Sequence, residues 1–327
     1  MARARKKLAA LESPESKVYR TVPEAVDRFM EHCSSIDLET RRKYNNTLNR
    51  LKEFCDVHNV LYAQELTVEK LDTFRSSRQI APITATKELQ LLRQFCGFCL
   101  DRRWMEENSA KKIKMPSVVS ANDTEPFTSA EVAAILAACD RIGQQSYERI
   151  RARAMVMTLR YTALRIGDVS MLERNRITHD GRRWRVFLRT EKNGKPVFMP
   201  IPNELKSALD ALPIPKGCGA EPKHYFWNGT SKPRSMKKSA DDTLRSVFRA
   251  SGVKGAHAHR FRHTLATELL ENGASFEDVA DVLGNTVDIV RKHYAKWSPK
   301  RQARIDDLLE RVHSAASYAP VKLRRIK

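Results

Sequence analysis

Five side chains in the second half of the sequence have types and spacing suited to chemistry on a phosphodiester. Arg165 follows an apolar run, RARAMVMTLRYTA; Lys192 lies in EKNGK between two short apolar runs; His259 and Arg262 form a His-x-x-Arg pair; and Tyr294 stands beyond a Leu-Gly step, nine residues after Asn285. Two arginines can hold the non-bridging oxygens of a phosphate and stabilise the charge added in the transition state. A tyrosine can attack as a covalent nucleophile once its proton is accepted or its pKa is lowered by nearby cations. A histidine and a lysine can manage protons at attack and departure. Other chemistries are poorly served. The sequence has no HExxH, no cysteine quartet and no paired carboxylate cage for a metal, and neither a Walker loop nor a GxGxxG for a nucleotide. No cofactor is expected.

Four of these residues also have a plainer role open to them. Tyr294 alone fits a half-buried core tyrosine, and His259 a structural histidine. Arg165 stands just after an apolar helix, where an unpaired charge is costly; an ion pair with Asp168 or Glu173 would satisfy it, and so would a phosphate. Lysines at a hairpin tip, Lys192 and Lys195 here, are ordinarily solvated. The helix, glycine, helix pattern around Gly273 also suits a helix-turn-helix DNA reader.

Charge narrows the partner. The 327 residues carry a formal net charge of +20, a polyanion-binding balance. No apolar run is long enough to span a bilayer, and no signal peptide or lipidation motif is evident, so nucleic acid is the expected partner and the cytoplasm the expected location. Up to residue 120 there are 22 Lys/Arg against 16 Asp/Glu, and beyond it 37 against 23, so the part holding the five residues is the more basic. Cys96 and Cys99 form a C-x-x-C, but at helical spacing with Leu92 and Phe95 and without a second pair, which favours buried thiols.

The elements that must position these groups are mostly helices, with a small β-hairpin or sheet, an α+β pattern. Residues 1–20 are a basic arm. From 21 to 110 four helices are expected, the first opened by the capping box Thr21-x-x-Glu24 with Pro23 just inside it, the fourth starting at Thr84. Residues 111–126 lack periodicity and read as a linker. From 127 to 316 a second domain opens with the box Thr128-x-x-Glu131, and a buried helix runs into LRIGDVSMLE. WRVFLRT and PVFMPIP follow as strands about the Asn193-Gly194 hairpin signal, and HYFWNG as one more short strand. Helices then run to the end: one at 236–252, three about Gly273 and Gly284, and a last amphipathic one from 299 to 316. Residues 317–327 are a basic tail.

These pieces resemble the tyrosine recombinases of the phage integrase family, of the simple Xer-like two-domain type. The likeness rests on YTALRIGDV around Arg165, the hairpin lysine, HRFRHTLAT, LGN at 283–285, and the tyrosine nine residues on. It implies a helical core-site-binding domain and a catalytic domain clamped round DNA, a 3′-phosphotyrosyl intermediate, and strand exchange through a Holliday junction with neither metal nor ATP. It further implies a free monomer that forms a homotetramer on double-stranded DNA with inverted half-sites, as in the recombinases of mobile genetic elements. Arg165 and Arg262 would bind the scissile phosphate, Lys192 protonate the 5′-oxygen, His259 assist proton transfer, and Tyr294 attack. The family usually has His or Trp where this chain has Asn285, whose amide can donate a hydrogen bond but cannot shuttle a proton. A catalytically silent DNA-binding regulator and a type IB topoisomerase-like strand transferase remain as rivals. The last helix has an apolar face, Ile305, Leu308, Leu309 and Val312, which would dock on a neighbouring protomer or pack within the chain.

Overall fold

The computed structural model describes residues 19–117, 125–143, 146–192, 194–215, 217–219, 221–227, 229–294 and 299–315. It is mainly helical with one three-stranded antiparallel sheet. The chain divides into two compact units, Met1–Asn122 and Asp123–Lys327. Most of the expected arm, residues 118–124 of the expected linker, Asn193 of the hairpin signal and the basic tail lie outside the described residues.

In the first unit, Thr21 and Glu24 form the expected capping box on α1 (Val22–His32). Asp37 caps α2 (Leu38–Val57) by accepting from the Glu39 and Thr40 N–H groups. Thr67 caps α3 (Val68–Ser76). The fourth helix, α4 (Pro82–Asp101), starts two residues before Thr84, because the fixed φ of Pro82 suits a first helical turn. A short α5 (Ser109–Lys112), unforeseen in the sequence, is held by Arg93, which donates to the carbonyls of Ala110 (3.1 Å) and Ile113 (2.7 Å). The core meets edge to face, Phe29 on Phe95 at 5.6 Å and Phe54 on Phe74 at 5.4 Å. Cys96 and Cys99 are free thiols in this core, and burial raises both, Cys96 to about 12. The C-x-x-C is therefore packing, not redox chemistry.

The second unit is built on α7 (Ser146–Thr162), whose Met155, Val156 and Leu159 are buried. α6 (Ser129–Ala138), opened by the Thr128–Glu131 box, precedes it. The helix does not run straight on. It breaks at buried Ala163, held at φ 50, a conformation that costs an L-residue about 1–2 kcal/mol. A one-turn α8 (Ile166–Ser170) restarts with Arg165 as its N-cap residue.

The sheet runs β1 (Ile177–His179), β2 (Trp184–Arg189), β3 (Pro196–Ile201), with Val186 opposite Met199 and Leu188 opposite Val197. These residues face the core, while Phe187 and Phe198 alternate to the outside. Pairing ends at Arg189 with Pro196, one residue short of the expected strand end at Thr190, and leaves the EKNGK connection between the strands as expected. One expectation needs correcting. HYFWNG is not a strand of the sheet. The carbonyl of the preceding Lys223 accepts from the Arg174 N–H and the Tyr225 N–H donates to the Leu172 carbonyl, leaving one isolated bridge between Glu173 and His224, and β1 takes the sheet edge instead.

α9 (Asn203–Asp210), also unforeseen, packs on α7, and α10 (Pro233–Ser251) packs on α6. α11 (Ala258–Glu271) follows, then α12 (Phe276–Leu283), capped by Ser275 with Asp278 and ended by Gly284 at φ +58. α13 (Val287–Tyr294) and α14 (Pro299–Ala315) complete the described chain. Ala163, Ala266, Leu270, Val279, Leu283 and Val290 form a small core beneath α11–α13.

Arg260, only 8% exposed, ties the front of this unit to α11. It donates to the carbonyls of Glu125 (2.8 Å) and Lys254 (3.0 Å) and to both oxygens of Glu131, and lies over the Phe127 ring. Arg260→Ala should lower unfolding stability by about 3 kcal/mol, the low end for a buried pair because Glu131 keeps some water. A lower denaturant midpoint at unchanged m-value would register it.

Candidate active site

α11 brings the central residue. Arg262 is 3% exposed, and its guanidinium donates to two main-chain carbonyls, Ala163 (Nη1, 2.9 Å) and Leu283 (Nη2). Burial, with Arg165 adding to it, pushes its pKa down to about 10, so it stays a cation at neutral pH.

Arg165 reaches the same place from the start of α8. Its Nη2 donates to the Asn285 side-chain oxygen at 3.3 Å, and its Nη1 is buried with no partner among the described residues. The expected ion pair is not formed with either carboxylate. Asp168 is turned to the hairpin, where it accepts the Glu191 N–H at 2.9 Å. Glu173 pairs with Lys223 (2.7 Å) and Arg176 (3.1 Å). Burial pushes the Asp168 carboxyl up, against the Glu191 N–H and the charge of Arg165.

Asn285 divides its roles. Its N–H bonds to the Ala280 carbonyl at 2.9 Å and closes the end of α12 together with Gly284. Its side chain turns to Arg165, and its carbonyl accepts from Lys195 Nζ at 2.6 Å. Gly284 is needed here twice over: by its left-handed φ, and by the hairpin above it, where a Cβ would stand 3.3 Å from Val197 Cγ2.

Tyr294 ends α13, half-buried. Burial raises its phenol to about 12, against the pull of Arg262, so it is protonated in the DNA-free protein. The His263 ring lies 5.4 Å from its ring, and the His259 ring 5.1 Å from His263, edge on. Both imidazoles are pushed down to about 4, first by loss of surrounding water and then by neighbouring charge. His259 nevertheless keeps an exposed surface, so water tempers the first cause, and the field of His263, Arg262, Arg165 and His257 is the more durable one.

Arg165, His259, Arg262, Asn285 and Tyr294 are thus brought together. Lys192 is not: it is exposed on the 190–195 connection and bonds to no described residue. The hairpin lysine that touches the group is Lys195. Sequence reasoning also passed over His263, although its spacing of four from His259 puts both on one helical face. It saw Asp168 only as an ion-pair partner, whereas Asp168 anchors the hairpin. Among the described residues, no group of three or more His, Cys, Asp or Glu side chains is arranged to hold a metal ion.

Residues 125–301 match the phage integrase family. The tyrosine recombinase XerC of Chlamydia muridarum (strain MoPn / Nigg) is 26% identical over 244 residues, covering 73% of either chain. A solved lambda integrase dimer bound to a COC′ core site has a TM-score of 0.67 at 15% identity, covering 86% of this chain and 81% of that one. A lambda integrase tetramer bound to a Holliday junction has a TM-score of 0.64 at 16% identity, covering 87% and 86%. At such identities the structural likeness speaks to fold.

The depressed imidazoles give stability a pH dependence with a definite sign. A folded pKa of about 4 against an ordinary 6.5 means that the fold favours neutral His259 and His263. Their contribution is fully present above pH 6.5 and is lost as pH falls from there toward 4. The stability of wild type relative to His263→Gln should therefore be constant above neutrality and fall across that window, as read by urea unfolding at stepped pH.

Proposed function

Because the chain belongs to the phage integrase family and is a site-specific DNA recombinase, we propose that it cuts and rejoins DNA through Tyr294, with Arg165 and Arg262 holding the scissile phosphate. The observation that carries this reading is Arg165 Nη1, buried without a partner among the described residues and beside a second buried guanidinium and a phenol. Such a donor calls for an anion, and a phosphodiester supplies one whose charge grows as the nucleophile adds.

The Tyr294 oxygen attacks phosphorus and the bond to the 5′-oxygen breaks, leaving the DNA 3′-end on the tyrosine. The phenolic proton passes to neutral His259, and the departing 5′-oxygen takes a proton from Lys192. Lys192 must close on the phosphate from its exposed position, as catalytic contacts often tighten only in the substrate complex. The reverse reaction, with a 5′-hydroxyl from the partner duplex, rejoins the strands; two such exchanges pass through a Holliday junction. The arginines supply the positive charge, so the reading needs no metal. Asn285 donates its amide N–H to the phosphate while its oxygen orients Arg165.

The substrate is double-stranded DNA with inverted half-sites, gripped partly by the helical first unit, in the bacterial cytoplasm. Among the described residues no helix is long and apolar enough to cross a membrane. A monomer in solution becomes a tetramer on two DNA sites. Lambda integrase, solved as a dimer on a core site and as a tetramer on a Holliday junction, offers a precedent. α14 supports it: Ile305, Leu308, Leu309 and Val312 leave its apolar face exposed, suited to docking on a neighbouring protomer.

A nicked suicide substrate should trap the wild-type protein covalently, with EDTA present or absent, and Tyr294→Phe should bind the same DNA without being trapped. Loss of trapping in EDTA would remove the metal-free reading. Supercoil relaxation without exchange between two sites would point to a topoisomerase.

Asn285→Ala should slow cleavage about ten- to a hundredfold, the loss of about 1.5–3 kcal/mol of hydrogen bonding to a charged group. Asn285→His should keep much of the rate, and Asn285→Asp should fall below Ala because its charge opposes the phosphate. An unchanged rate in folded Asn285→Ala would leave the residue only its main-chain cap.

A further inference from the structure

We infer that Lys195 is a positioning residue: by bonding to the Asn285 carbonyl it fastens the loop carrying Lys192 to the active site. This rests on Lys192 as the proton donor to the 5′-oxygen.

The connection 190–195 is closed at its base and anchored on both flanks of Lys192. Thr190 N–H donates to the Lys195 carbonyl at 2.9 Å, and Gly194 N–H to the Thr190 carbonyl at 2.8 Å. On one flank, Glu191 N–H bonds to the buried Asp168 carboxylate at 2.9 Å, and the Glu191 side chain pairs with Lys237 (Nζ to Oε2, 2.6 Å). On the other flank, Lys195 Nζ bonds to the Asn285 carbonyl at 2.6 Å. A lysine at a hairpin tip gains little by leaving water unless it finds an acceptor, and Lys192 stays exposed while Lys195 is half-buried.

The hairpin lies close over the end of α12. A Cβ on Gly284 would stand 3.3 Å from Val197 Cγ2, a tight approach, and in ordinary contact at 3.6 Å with Lys195 Cβ and Thr190 Cγ2. Asn285 then takes Lys195 at its main chain and Arg165 at its side chain. One residue thereby sets the hairpin and the phosphate-facing arginine in a common frame, and the swing of Lys192 is confined to the residues between two anchors.

A 5′-bridging sulfur in the substrate separates this role from others, because a thiolate leaves without needing a proton. Single-turnover cleavage and half-site affinity would be measured for wild type, Lys192→Ala, Lys195→Met, Lys195→Arg and the Lys192→Ala/Lys195→Met double variant. On ordinary DNA, Lys195→Met should cleave at least about tenfold more slowly at unchanged affinity and salt dependence. Lys195→Arg should recover part of the rate, and the double variant should be no slower than Lys192→Ala. On the sulfur substrate both single variants should approach wild type. A Lys192→Ala defect rescued by sulfur alongside an unrescued Lys195→Met defect overturns the inference alone. Weaker DNA binding with a shallower salt slope in Lys195→Met also overturns it, since that marks a direct phosphate contact. A Lys192→Ala protein that cleaves ordinary DNA at the wild-type rate removes the proton-donor reading, and the inference with it.

Discussion

The second unit depends on one buried cation and the two carbonyls it holds. Arg262 bonds to Ala163, just past the end of α7, and to Leu283, the last residue of α12. Each carbonyl lies two residues before a residue of the site: Arg165 follows Ala163, and Asn285 follows Leu283. Fixing the carbonyls therefore fixes the two chain segments whose side chains meet at 3.3 Å. Removing this guanidinium would leave two buried acceptors unpaired and free both turns at once. The left-handed backbone of Ala163 is a local cost that this arrangement holds in place.

The choice of partner matters as much as the bond. Carboxylates would satisfy Arg262 and cancel its charge, whereas carbonyls satisfy its N–H groups and leave the charge in being. The neighbouring Asp168 carboxylate is committed to the hairpin backbone. The residual field is visible in the neighbours: it helps keep His259 and His263 neutral, and it opposes the rise that burial imposes on Tyr294. Cations held close together in a half-dry site repel one another, and a phosphate relieves that repulsion most when its own charge is greatest. On the proposed reading, a preference for the transition state over bound DNA would follow from the same electrostatics.

Much of this could be read from residue types and periods. Capping boxes at Thr21, Thr128 and Ser275 marked helix starts because the chemistry that caps a helix is local. The spacing of His259, Arg262, Asn285 and Tyr294 was legible because three short helices with glycine stops convert it into proximity. What could not be read was set by contacts distant in sequence. Whether Asp168 would face Arg165 or Glu191 depends on where the hairpin lies. Lys192 and Lys195 are indistinguishable as lysines near a turn, and only the close approach over Gly284 separates them. β1 is too short to show alternation, and HYFWNG carries strand-like residues that bond to a loop because the sheet edge is taken.

Charge neutralisation by Arg165 is the most exposed point of this picture, and single-turnover cleavage of DNA with a methylphosphonate at the scissile position tests it most directly. Replacing one non-bridging oxygen by a methyl group removes the negative charge that, in the proposed reading, is met by Arg165 Nη1, an atom buried with no partner among the described residues. Arg165→Ala should be severely impaired on ordinary DNA and should recover most of its activity, relative to wild type, on the neutral linkage. Arg262→Ala should not recover, because it loses the frame as well as a charge. An Arg165→Ala protein equally impaired on both substrates would contradict the assignment, and would make Arg165 a structural partner of Asn285 in place of a ligand for phosphate.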